Sequence, residues 1–217
     1  MPNRNQMKNE TISPRGTIIF LNGSSSAGKT TLAMALQELI EEPYHHVSLD
    51  QFRDGMPAKY RGLNSPHGST GHRGLNVLPI DSAGATAFTL IQFGDAGKLM
   101  LRGMRRAMAA MAKEGVNLLI DDIILEHSFL EDYLKTMVGI NLYFVGVRCP
   151  AEVISEREAL RPGRFPGTAV GHLDICHAHG DYDVEVDTAS QSPEGCARDV
   201  IRRVNSGPPE AFSRLRR

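Results

Sequence analysis

Apolar positions along the chain fall into two kinds of pattern: short solid runs, and longer stretches in which they recur every three or four residues. The first marks buried strands, the second one-sided helices. Gly16–Leu21 (GTIIFL) is a β-branched and aromatic run between glycines and predicts a buried strand. A glycine-bearing loop and a helix follow at once, with Leu32, Ala35, Leu36, Leu39 and Ile40 at helical spacing over Thr30–Glu42 and Pro43 ending it. His45–Leu49 predicts a second strand that stops at Asp50, Val116–Ile120 a third that runs into Asp121 and Asp122, Asn141–Val147 a fourth and Tyr182–Val186 a last. Helices are predicted over Lys98–Glu114, Ala151–Leu160 and Ser192–Asn205. In the first of these Leu99, Met100, Met104, Met108 and Met111 form the apolar face and Arg102, Arg105, Arg106 and Lys113 the polar one, the methionines filling core gaps. Gly55–Pro79 is crowded with Gly, Pro, His, Ser and Asn and predicts a long loop or short-helix excursion. Strands alternating with helices give an α/β fold, a parallel sheet with helices on both faces.

The loop after the first strand carries the strongest chemical signal. Gly23-Ser24-Ser25-Ser26-Ala27-Gly28-Lys29-Thr30 satisfies every fixed position of G-x-x-x-x-G-K-[ST], between a predicted strand and a predicted helix. In this P-loop the glycines admit a phosphate, backbone N–H groups converge on it, and the helix N-terminus adds partial positive charge. Gly23 to Thr31 are thus the candidate nucleotide-binding residues, with Lys29 reaching the β- and γ-phosphates and Thr30 binding magnesium. Asp121, after the apolar run VNLLI, has the form of a Walker B carboxylate; Asp122 beside it points to the other face of the strand, and either is a candidate magnesium residue. Asp50 ends a strand at the same sheet edge, where a carboxylate can take a proton from an attacking hydroxyl; it would serve equally as the N-cap of a helix beginning near Gln51. Arg157 and Arg161, four apart on one helix face, with Arg164 beyond them, are candidates to neutralise a migrating phosphoryl group, the alternative being a solvated face paired with Glu156 and Glu158. Phe52 and Met56 are expected to wall the acceptor pocket. His172, His177 and His179 read as loop or surface histidines, and Cys149 as a small buried hydrophobe.

Composition narrows the setting. Lys+Arg 24 against Asp+Glu 25 leaves a net charge of -1, which argues against a nucleic-acid or membrane-surface partner. Six arginines against Asp199 and Glu210 after residue 197 hide an acidic body behind a basic end. Three widely spaced cysteines suggest neither a disulfide framework nor a zinc site, and no run approaches the ~18 apolar residues of a membrane span, so a reducing cytoplasm is the expected location.

Taken in order, IIFLNGSSSAGKTTLA, SLDQF, LLIDDIIL, FVGVRCPAEVISEREALRPGR and HAHGDYDVEVDTASQSPEGCA resemble the chloramphenicol phosphotransferase-like P-loop kinases. The resemblance implies a P-loop NTPase three-layer fold, with a five-stranded parallel core like those of shikimate and adenylate kinases. It also implies ATP with magnesium, and γ-phosphoryl transfer to a small-molecule hydroxyl, chloramphenicol being one possible acceptor. It maps the base onto Asp50, the lid arginines onto Arg157 and Arg161, and the third-strand Asp onto Asp121 or Asp122. The expected organisation is a flexible lead-in over 1–16, one kinase domain over 17–205 with an acceptor-side loop at 55–80 and a lid at 157–175, and a basic tail at 206–217. Two rivals stay open: a nucleoside or nucleotide kinase, with Arg53 and Arg61 holding an acceptor phosphate, and a regulatory nucleotide-binding module with no acceptor.

Overall fold

The computed structural model describes residues 15–80, 88–161 and 167–217. Five strands form the main sheet: β1 (Thr17–Asn22), β2 (Tyr44–Ser48), β6 (Asn117–Asp122), β7 (Asn141–Arg148) and β8 (Val184–Asp187), in the order β2-β6-β1-β7-β8 and parallel at every pairing. The solid apolar run of β1 follows from its central place, covered on both faces. Ile18 and Phe20 enter one core, which receives α4 (Asp95–Lys113), α5 (His127–Thr136) and α9 (Ala211–Leu215). Ile19 and Leu21 enter the other, beneath α1 (Lys29–Leu39), α6 (Ala151–Ala159) and α8 (Pro193–Asn205). Register brings the chemistry together: Asn22 pairs with Asp122, Leu21 with Asp121 and Ser48 with Asp121, so the candidate residues of three strands meet at the carboxyl edge.

The 55–80 stretch holds the short helices expected as one alternative, and strands that were not expected. Ala58–Tyr60 is a 3-10 turn, α3 (Thr70–Arg73) a short helix, and β3 (Arg61–Leu63), β4 (Leu75–Ile80) and β5 (Phe88–Phe93) form a second, three-stranded sheet, β3–β4 parallel and β4–β5 antiparallel. Leu75 and Phe93 reach the first core, while Asn76 is buried and clasps the chain by accepting from the Ser65 N–H and donating to the Ser65 carbonyl. Neither β5 nor α5 was expected.

Two further expectations change. Arg105, placed on the polar face of α4, is 2% exposed: its guanidinium lies over the rings of Phe129 and Tyr133 and bonds Asp132 at 3.0 Å. The basic end is not a tail, since α9 docks Phe212 against Phe20 and Phe144. The methionine expectation holds for Met104 and Met108, both buried. Most of the predicted lead-in, residues 1–14, lies outside the described residues, as do Pro162, Gly163 and Arg164.

Candidate active site

The loop between β1 and α1 is shaped by two close approaches. At Gly23 a Cβ would sit 2.5 Å from the Val147 carbonyl oxygen, and at Gly28, which opens α1 with φ of 90°, any side chain would be strained. Lys29, 9% exposed, curls over the loop and donates to the carbonyls of Gly23 and Ser24, each at 2.9 Å. The Ser26 hydroxyl is buried with no hydrogen-bond partner among the described residues. Ser24 donates to the Ala169 carbonyl, anchoring the loop to α7 (Thr168–Gly171).

Register separates the two aspartates. Thr30 Oγ1 donates to Asp121 Oδ2 at 2.6 Å, and Lys29 Nζ lies 3.6 Å from Asp121 Oδ1. Burial alone would raise the Asp121 carboxyl; the charge of Lys29, the nearby His46 ring and the bond from Thr30 outweigh it and hold the group below the usual carboxylate range. Asp122 faces the first core, accepting from Tyr133 Oη at 2.5 Å and from the Ile123 N–H at 2.7 Å, and burial pushes its carboxyl up. Both aspartates line the cavity at this corner, but they differ in partner: Asp121 is bonded to Thr30 at the start of α1, and Asp122 to Tyr133 of α5.

One cavity of about 1420 Å³ takes in this corner. Ser25, Ser26, Gly28, Lys29, Thr30 and Thr31 line it, whereas Gly23, Ser24 and Ala27 are not among its lining residues. At one end it reaches Thr188, Gln191 and Pro193; at the other it opens onto α2 (Leu49–Asp54) and the second sheet, where Leu63, Leu75, Val77 and Ile91 make an apolar wall. Asp50 lies at this second end. Ser48, not Asp50, caps α2: its hydroxyl accepts from the Gln51 N–H while the Gln51 side chain accepts from the Ser48 N–H. The Asp50 carboxylate, 46% exposed, accepts from Arg53 at 2.7 Å. Phe52 and Met56 are not on the wall. Because α2 starts at Leu49, the turn that puts Leu49, Asp50, Arg53 and Asp54 on the cavity rotates Phe52 onto the first core.

The arginines part in the same way. Arg161 is exposed and lines the cavity. Arg157 also lines it, yet its guanidinium donates to Thr188 Oγ1 at 3.0 Å, to the Thr188 carbonyl at 2.7 Å and to Cys149 Sγ at 3.4 Å. Glu158 is buried rather than solvated, and accepts from the Gly167 and Ala169 N–H groups. Cys149 is buried, as expected.

The histidines overturn their surface reading. His172, 2% exposed, accepts from the Ile91 N–H at 3.1 Å, and burial lowers it to about 4. His177 sits 2.6 Å from Tyr182 Oη and is likewise lowered to about 4 by burial, and His179 stacks on Phe144. They pack the segment that follows α7 behind Asn22, whose amide donates to Tyr182 Oη and to the Cys176 carbonyl. Sequence reasoning also missed His46, 3.7 Å from Asp121 Oδ2. Its signal was strand alternation: two residues before Ser48, it shares that residue's face.

Residues 16–205 match the sequence model of a family described as chloramphenicol phosphotransferase-like proteins. A "Putative O-phosphotransferase" of Mycobacterium tuberculosis strain H37Rv is 33% identical over 213 residues, covering 94% of this chain and 89% of the relative. Among solved structures, the M. tuberculosis APS kinase in complex with AMPPNP and APS superposes with a TM-score of 0.61 at 18% identity, covering 89% of this chain and 99% of the other. A gluconokinase from Sinorhizobium meliloti 1021 gives 0.55 at 18% identity, with 94% of each chain covered. These structures share the P-loop kinase fold.

Proposed function

The chain belongs to the chloramphenicol phosphotransferase-like family, and from that premise we propose that it is an ATP-dependent O-phosphotransferase that moves the terminal phosphoryl group to a hydroxyl of a small molecule. One observation carries the reading: a single cavity is lined by Lys29, Thr30 and Asp121 of the P-loop corner and also by Asp50 and the apolar side chains Leu63, Leu75, Val77 and Ile91. Pockets for drug-sized ligands run to about 1,000 Å³, so the volume suits two molecules side by side.

The residues fit both a triphosphate and magnesium. The unpartnered Ser26 hydroxyl sits in a loop whose glycines keep Cβ atoms away, and the Thr30 hydroxyl and Asp121 carboxylate are hard oxygen donors already 2.6 Å apart. Magnesium held there would neutralise charge on the β- and γ-phosphates. Lys29 exchanges its carbonyl partners for phosphate oxygens, and Arg161 approaches from the cavity side to stabilise the migrating group. Asp50, aimed by Arg53, takes the proton of the acceptor hydroxyl as its oxygen bonds phosphorus and the bond to the ADP oxygen breaks.

The acceptor end favours an uncharged molecule with an apolar body, of which a hydroxylated antibiotic such as chloramphenicol is one candidate. Arg53 and Arg61, which a nucleotide acceptor would need for its phosphate, are paired with Asp50 and Asp54. A coupled ADP assay across chloramphenicol, other hydroxylated antibiotics, nucleosides and sugars tests the proposal. It expects ADP release above background only with a hydroxyl acceptor; uniform background release with every compound would favour the regulatory module.

A further inference from the structure

Arg157 and Glu158 are neighbours on α6 and reach to opposite sides of the P-loop. Arg157 grips Thr188 twice, through the hydroxyl at 3.0 Å and the carbonyl at 2.7 Å, and the Thr188 hydroxyl donates to the Ala27 carbonyl at 2.8 Å. Glu158, 5% exposed, receives the Gly167 N–H at 2.8 Å and the Ala169 N–H at 2.9 Å, and the Ala169 carbonyl receives the Ser24 hydroxyl. Each arm thus ends on the P-loop, one at Ser24 and the other at Ala27, either side of the segment that carries Ser25 and Ser26.

From these two arms we infer that the Arg157–Glu158 pair is a clamp that fixes the P-loop in its anion-holding shape, and that Arg157 acts through Thr188 rather than on the migrating phosphoryl group. The geometry separates the two roles. A guanidinium that stabilises transfer must turn its terminal donors to phosphate oxygens, whereas Nη1 and Nη2 of Arg157 hold a hydroxyl that itself holds the loop, the Cys149 sulfur and a backbone carbonyl. Glu158 is a buried carboxylate that accepts from backbone N–H groups of α7 and of the residue before it, a charge held where it fixes a segment. Arg157, Glu158 and Thr188 are accordingly positioning residues. The gain is preorganisation: a loop already set to converge its N–H groups binds phosphate without the cost of ordering.

The clamp rests on the reading that this loop holds a nucleotide's phosphates, and its test separates the two. Thr188→Val keeps the side-chain shape and removes the hydroxyl from both bonds. It should weaken MgAMP-PNP binding about tenfold by calorimetry, or about 1.4 kcal/mol, and inorganic tripolyphosphate by a similar factor. Thr188→Ser should restore both to within about twofold, and Thr188→Val should add little in an Arg157→Lys background. Amide exchange of ligand-free protein should show faster exchange over Ser24–Lys29 in Thr188→Val and in Glu158→Gln. Loss of AMP-PNP affinity with tripolyphosphate unchanged would mean that these residues meet the nucleoside directly, and would overturn the clamp. So would wild-type exchange in both variants. If the wild-type chain binds no MgAMP-PNP, the phosphotransferase proposal falls while the exchange comparison still decides the clamp.

Discussion

Asp122 ends β6 and Asp50 lies in the first turn of α2, just past β2, and their neighbours employ them differently. Both line the cavity, but the Asp122 carboxylate is held by the Tyr133 hydroxyl and the Ile123 N–H, whereas Ser48 relieves Asp50 of capping α2. Asp50 also pairs with Arg53 one turn on, and as a half-exposed ion pair and a negative charge in the first turn of a short helix it contributes from tenths of a kcal/mol to about 1 kcal/mol. Asp50→Asn should therefore leave the fold and the KM for ATP near wild type and lower acceptor-dependent kcat by about 10²- to 10⁴-fold, the range for losing a general base. Turnover within threefold of wild type in the coupled assay would remove Asp50 from the chemistry. What was legible in sequence is placement: the P-loop after β1 and the carboxylates of Asp50 and Asp121 do line one cavity. Phe52 and Met56 were not legible. Which side of α2 faces the cavity depends on where the helix begins, and the Ser48 and Gln51 caps set that start.

Among elements, the link between β6, α5 and α4 runs through polar groups. Asp122 accepts from Tyr133, the Tyr133 ring lies 4.9 Å from the Arg105 guanidinium, and Arg105 bonds Asp132. Hydropathy reading placed Arg105 in a polar stripe with Arg102 and Arg106, since spacing along one helix cannot show that two acids and two rings from elsewhere converge on it. The second sheet was hidden for a related reason: β3 and β4 are short, Gly- and Pro-flanked, and bury few apolar side chains, so their punctuation outweighs their pattern. Tyr133→Phe removes the hydroxyl that serves Asp122 while preserving ring packing. It should cost about 1–3 kcal/mol of stability, the penalty for a buried polar group left without its donor. Urea unfolding would measure it, and adding Asp122→Asn should recover part of the loss. Strictly additive losses in the double variant would mean that the bond contributes nothing of its own.

At the scale of the molecule, the near-zero net charge is built from opposed parts that meet. The arginines of the basic end are drawn onto the acidic body, Arg203 onto Asp183 and Arg214 onto Asp181, around the docked Phe212. Alternation of strands and helices was enough to anticipate the five-stranded parallel core, but not this return of the chain end, which carries too few apolar residues to signal a helix. The same interior fixes how the protein meets acid. His172, between β5 and α7, and His177, behind Asn22, are both held neutral by burial, with pKa near 4 against an unfolded value of 6.5. As pH falls through 6.5 the unfolded chain takes up protons that the native state refuses until about 4, so stability falls across that window. His179, also lowered by burial, acts in the same sense. Asp121, held below the usual range, loses its contribution only at lower pH, and Asp122, raised by burial, takes its proton first in the native state and opposes the trend near the acid end. Urea midpoints at constant salt should therefore decline from pH 7 to pH 4 with a slope approaching that of two protons. His172→Gln and His177→Gln should each flatten it, and a wild-type profile level from pH 6.5 to 4.5 would show that these rings are not held neutral in the fold.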